Sequence, residues 1–233
     1  MLISKVLRKL GINPKYKKSY SQCGEDLIIY HIFDNLKIKK PTYIDIGANH
    51  PYFLNNTYLL YKKGSRGVNI EPNIILFKKL KKVRRKDVNL NIGVSDKEGE
   101  LEFYSINPNT MSTFSKDEAY KLKEEYNYKI EAITKIKVET LQNVIQKYFD
   151  GTYPDLLSID VEGYDEQILK SIDYEKSSPT IIVAETIEFS MVYKDNLKRT
   201  EIITFLQNKG YIVYADTMIN TIFVKKDRLV NID

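Results

Sequence analysis

The chain has 233 residues, 42% of them hydrophobic and 29% charged, with a formal net charge of +5. This composition excludes a disordered or fibrous chain and suffices for a core without covalent staples. One cysteine, Cys23, excludes an internal disulfide framework and a cysteine-built zinc site, and 36 basic against 31 acidic residues is too even a balance to mark nucleic acid as a partner.

Near the start, Leu2, Ile3, Val6, Leu7 and Leu10 recur at helical spacing, with Lys5, Arg8 and Lys9 between them. The pattern predicts a short amphipathic helix docked on the domain or a partner. The same pattern suits contact with an anionic membrane surface. No apolar run approaches about 18 residues, so no transmembrane segment is expected. Residues 1–20 read as a basic amphipathic extension and residues 21–233 as a single domain. The single cysteine fits a reducing compartment. The expected location is cytoplasmic, with peripheral contact at the inner face of the membrane.

From Ser21 the periodicity of Leu27, Ile28, Tyr30, Ile32, Phe33 and Leu36 predicts a helix, with Glu25 and Asp26 in its favourable first turn. Tyr43-Ile44-Asp45-Ile46-Gly47-Ala48-Asn49 reads as a buried parallel strand entering a tight turn. A helix-like run through Leu54, Tyr58, Leu59 and Tyr61 leads to a second strand, Gly67-Val68-Asn69-Ile70, that ends in Glu71. The next helix, Ile74 to about Val83, is expected to turn Ile74, Ile75, Phe77, Leu80 and Val83 inward. Lys78, Lys79, Lys81, Lys82, Arg84, Arg85 and Lys86 are expected outward, as a solvated face.

Val88 to Val94 reads as a third strand, followed by a turn at Ser95 to Gly99 and a short strand from Leu101 to Tyr104. Ser105 to Tyr128 reads as a long polar loop, the kind that forms a lid or faces a substrate. Ile133 to Val138 alternates like a strand and Leu141 to Phe149 reads as a helix. Asp155 to Asp160 is the fourth core strand and Thr180 to Ala184 the fifth, ending at Glu185. A helix from Arg199 to Lys209 precedes two strands, Tyr211 to Ala215 and Thr221 to Val224, which should pair antiparallel. Strands alternating with helices imply an α/β fold, a mostly parallel sheet covered on both faces.

In such sheets ligands sit beyond the carboxyl ends of the strands. Those ends here carry Asp45 and Gly47, Glu71, Asp160 and Glu162, and Glu185. Each acid taken alone is as readily a helix cap. Together they imply a polar site. Glu71 is placed to accept hydrogen bonds from ribose hydroxyls. Counting from Gly47, the glycines that a dinucleotide fingerprint needs fall at Asn49 and Tyr52, so the phosphate cradle is missing. A ligand with a ribose and no phosphate fits, and S-adenosylmethionine is the common one. Gly47 would allow close backbone approach, and Gly93 to Asp96 would lie beside the adenine.

Asp45-Ile46-Gly47-Ala48-Asn49, with Glu71-Pro72 following, resembles the FkbM-type family of S-adenosylmethionine-dependent methyltransferases. Ser158-Ile159-Asp160-Val161-Glu162-Gly163 is similar to that family's second signature, and Ser21-Gln22-Cys23-Gly24-Glu25-Asp26 to a lead-in found in related members. The resemblance implies a class I methyltransferase fold, a Rossmann-like seven-stranded sheet closed by a C-terminal antiparallel hairpin. It implies a cofactor site formed by Gln22, Asp26, Asp45, Gly47, Ala48, Asn49, Glu71, Pro72, Gly93, Val94, Ser95 and Asp160. It also implies O-methylation, often of a sugar hydroxyl on a glycan, glycolipid or secondary metabolite. Many members have a glycine two places after Ala48-Asn49, where this chain has His50-Pro51.

A sugar hydroxyl is a poor nucleophile until its proton is taken. Asp160 and Glu162, two apart at a strand end, are candidates for the base or for a Mg²⁺ site, since hard carboxylate oxygens suit that ion. His50 is a third candidate base. The expected partner is a small-molecule or glycan acceptor. Two other readings remain: a nicotinamide-dependent enzyme on a Rossmann sheet, and a non-catalytic glycan-binding protein on a methyltransferase fold.

Overall fold

The computed structural model describes residues 17–161, 163–187 and 198–229. In chain order the elements are α1 (Glu25–Asn35), β1 (Tyr43–Ile46), α2 (Tyr58–Lys63), β2 (Gly67–Ile70), α3 (Ile74–Val83), β3 (Val88–Leu90), β4 (Gly93–Ser95) and β5 (Gly99–Asn107). Then follow a 3-10 turn (Asn109–Met111), α4 (Lys116–Tyr126), β6 (Lys129–Thr140), α5 (Leu141–Phe149), β7 (Leu156–Ile159), α6 (Asp165–Lys170) and β8 (Ile181–Glu185). The chain closes with α7 (Thr200–Asn208), β9 (Tyr211–Asp216), β10 (Asn220–Lys225) and α8 (Lys226–Leu229).

The main sheet has seven strands in the order β3-β2-β1-β7-β8-β10-β9. Its first five strands run parallel, and β10 is antiparallel to both neighbours. This is the class I methyltransferase sheet with its terminal hairpin. The central strands are apolar on both faces because helices cover both. Ile44, Ile46, Leu157, Ile159, Ile182 and Ala184 pack on α5, α6 and α7. Tyr43, Leu156, Ile181 and Val183 face α1 and α2 instead. Alternation therefore sends Asp45 and Ser158 to the α1–α2 side, together with Tyr43 and Leu156.

Three expectations change. The run Val88 to Val94 is two strands, because at Asn91 the side chain bonds the carbonyls of Glu71 and Pro72 at 2.9 and 2.7 Å. Beyond that break β4 leaves the main sheet for a second one, of order β4-β6-β5. The stretch from Ser105 to Tyr128 is not a plain loop, since it holds the end of β5, the 3-10 turn and α4. Ser115 caps α4 by accepting the Glu118 N–H at 3.2 Å, and Asn127 ends it with φ 58°. The basic run after Phe77 is not uniformly solvated, because Arg84 is fully buried.

No helix among the described residues is long and apolar enough to cross a membrane. The amphipathic segment 1–10 lies outside the described residues.

Candidate active site

The site is built where β1, β2 and β7 end side by side. Both the Gly47 and Ala48 N–H groups donate to the Ile70 carbonyl at 3.0 Å, and the Asp160 N–H donates to the Ile46 carbonyl at 3.0 Å. Gly47 sits at φ +77°, and a Cβ there would lie 1.9 Å from the Asp160 carbonyl oxygen. Only glycine lets these strand tips approach so closely.

Glu71 leaves β2 at the centre of this arrangement. Its Oε2 accepts the Asn49 N–H and its Oε1 the Asn73 N–H, both at 2.7 Å. One carboxylate thereby ties the turn after β1 to the start of α3. Burial raises its pKa to about 7, against the pull of those two hydrogen bonds, and the Asp45 and Asp160 charges push it the same way.

A cleft of about 520 Å³, partly open to solvent, lies beyond these tips. Gly47, Asn49, Glu71, Pro72, Gly93, Val94 and Asp160, among the residues that the sequence singles out, line it. The opposite wall was not foreseen residue by residue. It comes from Phe103 on β5 and from Asn109, Thr110, Ser112 and Phe114 in the segment after it. The Phe103 and Phe114 rings pack with centroids 4.9 Å apart. Gly93 admits Phe114, since a Cβ at that position would meet the ring at 2.5 Å.

Asp160 is exposed to the cleft on one side and crowded by protein on the others. That crowding raises its pKa to about 7, the neighbouring Asp165 and Asp45 carboxylates raise it further, and Arg199 opposes them. Asp165 is fully buried, accepts the Val161 and Gly163 N–H groups at 3.2 and 3.3 Å, and faces Arg199 Nη1 at 3.7 Å. It holds the turn that presents Asp160. Burial, with Asp160 and Asp165 beside it, also holds the Glu185 carboxyl well above its ordinary range.

The remaining predicted residues do not line the cleft. Asp45 points to the α1–α2 face, where it accepts from Thr57 Oγ1 at 2.7 Å and Asn55 Nδ2 at 3.2 Å. Ala48 contributes its carbonyl to the same Asn55 amide at 3.0 Å. Asp26 is buried and accepts from Ser19 Oγ, the Tyr20 N–H and Ser21 Oγ, closing the chain before α1. Gln22 is exposed, and so is Cys23. Ser95 bonds Asp96 at 3.1 Å. His50 packs edge-on to Tyr52 with ring centroids 4.6 Å apart, and its Nδ1 is buried without a partner. Burial and then the Lys79 charge lower its pKa. Glu162 lies outside the described residues, and among those described no three His, Cys, Asp or Glu side chains converge as a metal set.

Behind the turn lies a polar hub. Arg84 donates Nε to Asp87 at 2.8 Å, Nη2 to Tyr43 at 2.7 Å and to Thr57 at 3.1 Å, and Nη1 to Asn55 at 3.3 Å. Asn55 in turn holds Asp45 and the Ala48 carbonyl. The guanidinium thus braces the glycine turn from below. Glu25, from the lead-in motif, does similar work: it ties α1 to the β9–β10 turn through Thr217 and Asn220 at 2.7 and 3.1 Å.

The lining suits a ribosyl ligand that carries no phosphate. Each Glu71 oxygen keeps a lone pair beyond its backbone partner and can accept a further hydrogen bond. Val94, Ile70, Phe103 and Phe114 offer an apolar wall for a heteroaromatic ring. Among the described residues that line the cleft there is no Lys, Arg or His.

The sequence matches no curated protein. Among solved structures it is similar to the FkbM methyltransferase of Methylobacillus flagellatus KT, at 13% identity and TM-score 0.45, over 80% of this chain and 44% of that one. It thus spans under half the length of that protein. It is also similar to a TehB-like SAM-dependent methyltransferase from Corynebacterium glutamicum ATCC 13032 Kitasato, at 12% identity and TM-score 0.42, over 97% of this chain and 95% of that one. The family model described as the methyltransferase FkbM domain matches residues 45–213, more than half of the chain. The chain belongs to the FkbM family of S-adenosylmethionine-dependent methyltransferases.

Proposed function

We propose that the protein transfers a methyl group from S-adenosylmethionine to a hydroxyl of a saccharide, with Asp160 as general base. The observation that carries this reading is the position of the Asp160 carboxyl, which opens onto the cleft beside the glycine turn with burial and the neighbouring acids raising its pKa to about 7. Such a group holds its proton loosely at neutral pH and can accept another's. S-adenosylmethionine, when bound, supplies an electrophilic methyl on a sulfonium sulfur. Glu71 would accept from the ribose hydroxyls, and Gly47 would leave room for the chain beyond them. Asp160 would take the proton from the acceptor hydroxyl, and as the oxygen–methyl bond forms the methyl–sulfur bond would break, leaving S-adenosylhomocysteine. Asn109, Thr110 and Ser112 give the acceptor side a polar wall, which fits a polyhydroxylated molecule. His50 is not among the residues that line the cleft, which favours Asp160 over it as the base.

Calorimetric titration of S-adenosylhomocysteine into wild type and Glu71→Ala tests the cofactor half. Loss of a charge-assisted acceptor should cost about 1.5–3 kcal/mol of binding. Asp160→Asn tests the base. It should keep S-adenosylhomocysteine affinity while methyl transfer to saccharide acceptors falls by about 10²–10⁴. The wild-type rate should climb as pH rises through about 7 and then level, because the base works only when deprotonated. Wild type that does not bind S-adenosylhomocysteine overturns the reading. Binding without turnover over a broad panel of alcohols and glycans would make it a binding protein instead.

A further inference from the structure

Two segments flank the cleft mouth, and both are held by Glu71. One is the turn after Asn49, and the other starts α3 after Asn73. Together they expose Tyr52 (47%), Phe53 (61%), Leu54 (39%), Ile74 (48%) and Ile75 (60%). These are half of the large hydrophobic residues exposed among the described residues, and they lie on the two segments that lead away from the cleft-lining Asn49 and Pro72. Single exposed apolar residues are ordinary, whereas a cluster of this kind marks an interaction surface.

The tips are held in place and are not the ends of a slack loop. The Pro51 carbonyl accepts from buried Arg84 at 3.4 Å, and Tyr52 packs against both His50 and Tyr58. Asn73 caps α3 by accepting the Ile75 and Leu76 N–H groups at 2.9 and 3.3 Å. The periodicity reading had turned Ile74 and Ile75 inward, but Leu76 and Leu80 take the core side. One helical turn behind the two isoleucines, on the same side, stand Lys78 and Lys79, and Lys82 follows a turn later. No acid lies between Pro72 and Lys86, and Lys81, Arg85 and Lys86 are also exposed.

An apolar tip backed by a ring of lysines has the profile of a wedge at a charged bilayer. The apolar side chains enter the acyl boundary, while the ammonium groups stay level with the headgroups. We propose that this rim docks on an anionic lipid surface, with Phe53, Ile74 and Ile75 inserted and the α3 lysines on the phosphates. The choice of a bilayer over a protein partner rests on that charge: six exposed cations and no acid on the flank. Docking would turn the cleft mouth toward the membrane.

The test is co-sedimentation of the full chain with phosphatidylcholine vesicles, with and without phosphatidylglycerol. Wild type should pellet with the anionic vesicles, and added salt should weaken this. Phe53→Ser with Ile75→Ser, and separately Lys78→Glu with Lys82→Glu, should each weaken binding about tenfold or more. Affinity for S-adenosylhomocysteine should be unchanged in both, which separates lost docking from lost fold. Wild type remaining in the supernatant with anionic vesicles overturns the proposal. So does wild-type vesicle binding by either double variant, which would leave the basic N-terminal segment as the anchor. A dimer that the serine substitutions dissociate, with vesicle binding intact, would make the rim a protein interface and overturn it too.

Discussion

At the scale of single residues, Gly47 and Arg84 set the geometry without touching the cleft chemistry. Gly47→Ala adds a Cβ 1.9 Å from the Asp160 carbonyl oxygen at a φ of +77°. The backbone there cannot yield without separating β1 from β7. Loss of about 3 kcal/mol or more is expected, read by urea denaturation. Arg84 and Asp87 form an ion pair at 2.8 Å with both side chains fully buried. Arg84→Met should cost about 3–5 kcal/mol, because Asp87 would remain buried and unpaired. Arg84→Lys should restore little of it, since an ammonium lacks the planar fork that reaches Asp87, Tyr43, Thr57 and Asn55 together. If Arg84→Lys unfolds at the wild-type denaturant midpoint, the hub is not what braces the turn.

At the scale of elements, the segment from β5 through α4 to β6 behaves as an appendage with its own core. Tyr104, Ile106, Ala119 and Leu122 form a cluster separate from the two that sandwich the main sheet. Small separate clusters open more easily than a central sheet. Amide exchange in Asn109 to Tyr126 should therefore be faster than in β1, β7 and β8. Leu122→Ala should remove about 2–5 kcal/mol of local protection there. Exchange in the central strands should stay at its wild-type rate. Equal acceleration in both regions would show that the appendage and the sheet unfold as one.

For the whole molecule, the carboxyls around the cleft give the fold a particular response to pH. Burial raises the pKa of Asp45, Glu71, Asp160, Asp165 and Glu185. Each binds its proton more tightly folded than unfolded. The stability this brings is full below the unfolded values, near 4, and is lost as pH rises through the folded values, which for Glu71 and Asp160 are about 7. The melting temperature should thus be higher at about pH 5.5 than at about pH 8. Glu71→Gln should narrow that difference. Glu25 acts in the opposite sense at lower pH, because its hydrogen bonds outweigh burial and lower its pKa. A melting temperature that rises steadily from pH 5.5 to 8 would mean that these acids are ionised throughout.

Much of the architecture was legible because its signals are local. Apolar runs ending in an acid or glycine mark β1, β2 and β7 whatever surrounds them, and the α/β alternation and closing hairpin follow from periodicity. The helix α4 is not read from the sequence, although its cap, Ser115, stands three residues before Glu118. Its apolar stripe, Ala119 and Leu122, is too thin to stand out among eleven mostly polar residues. The sequence by itself determined the strand tips, the polar character of the site and the family signatures. Only the tertiary structure decided which tip residues meet. Asp45 and Glu71 look alike in the sequence, each an acid at a strand end. Strand alternation and the neighbours at hand turn Asp45 into the Arg84 hub and leave Glu71 on the cleft. Arg84 itself reads as one cation in a basic run until Asp87 and Tyr43 are seen to wait for it inside. The far wall of the cleft comes from residues some sixty positions beyond the first glycine turn, and Phe114 reaches Gly93 only because β4 leaves one sheet for another. Side-chain direction and long-range register are set by packing, and packing is absent from any local window.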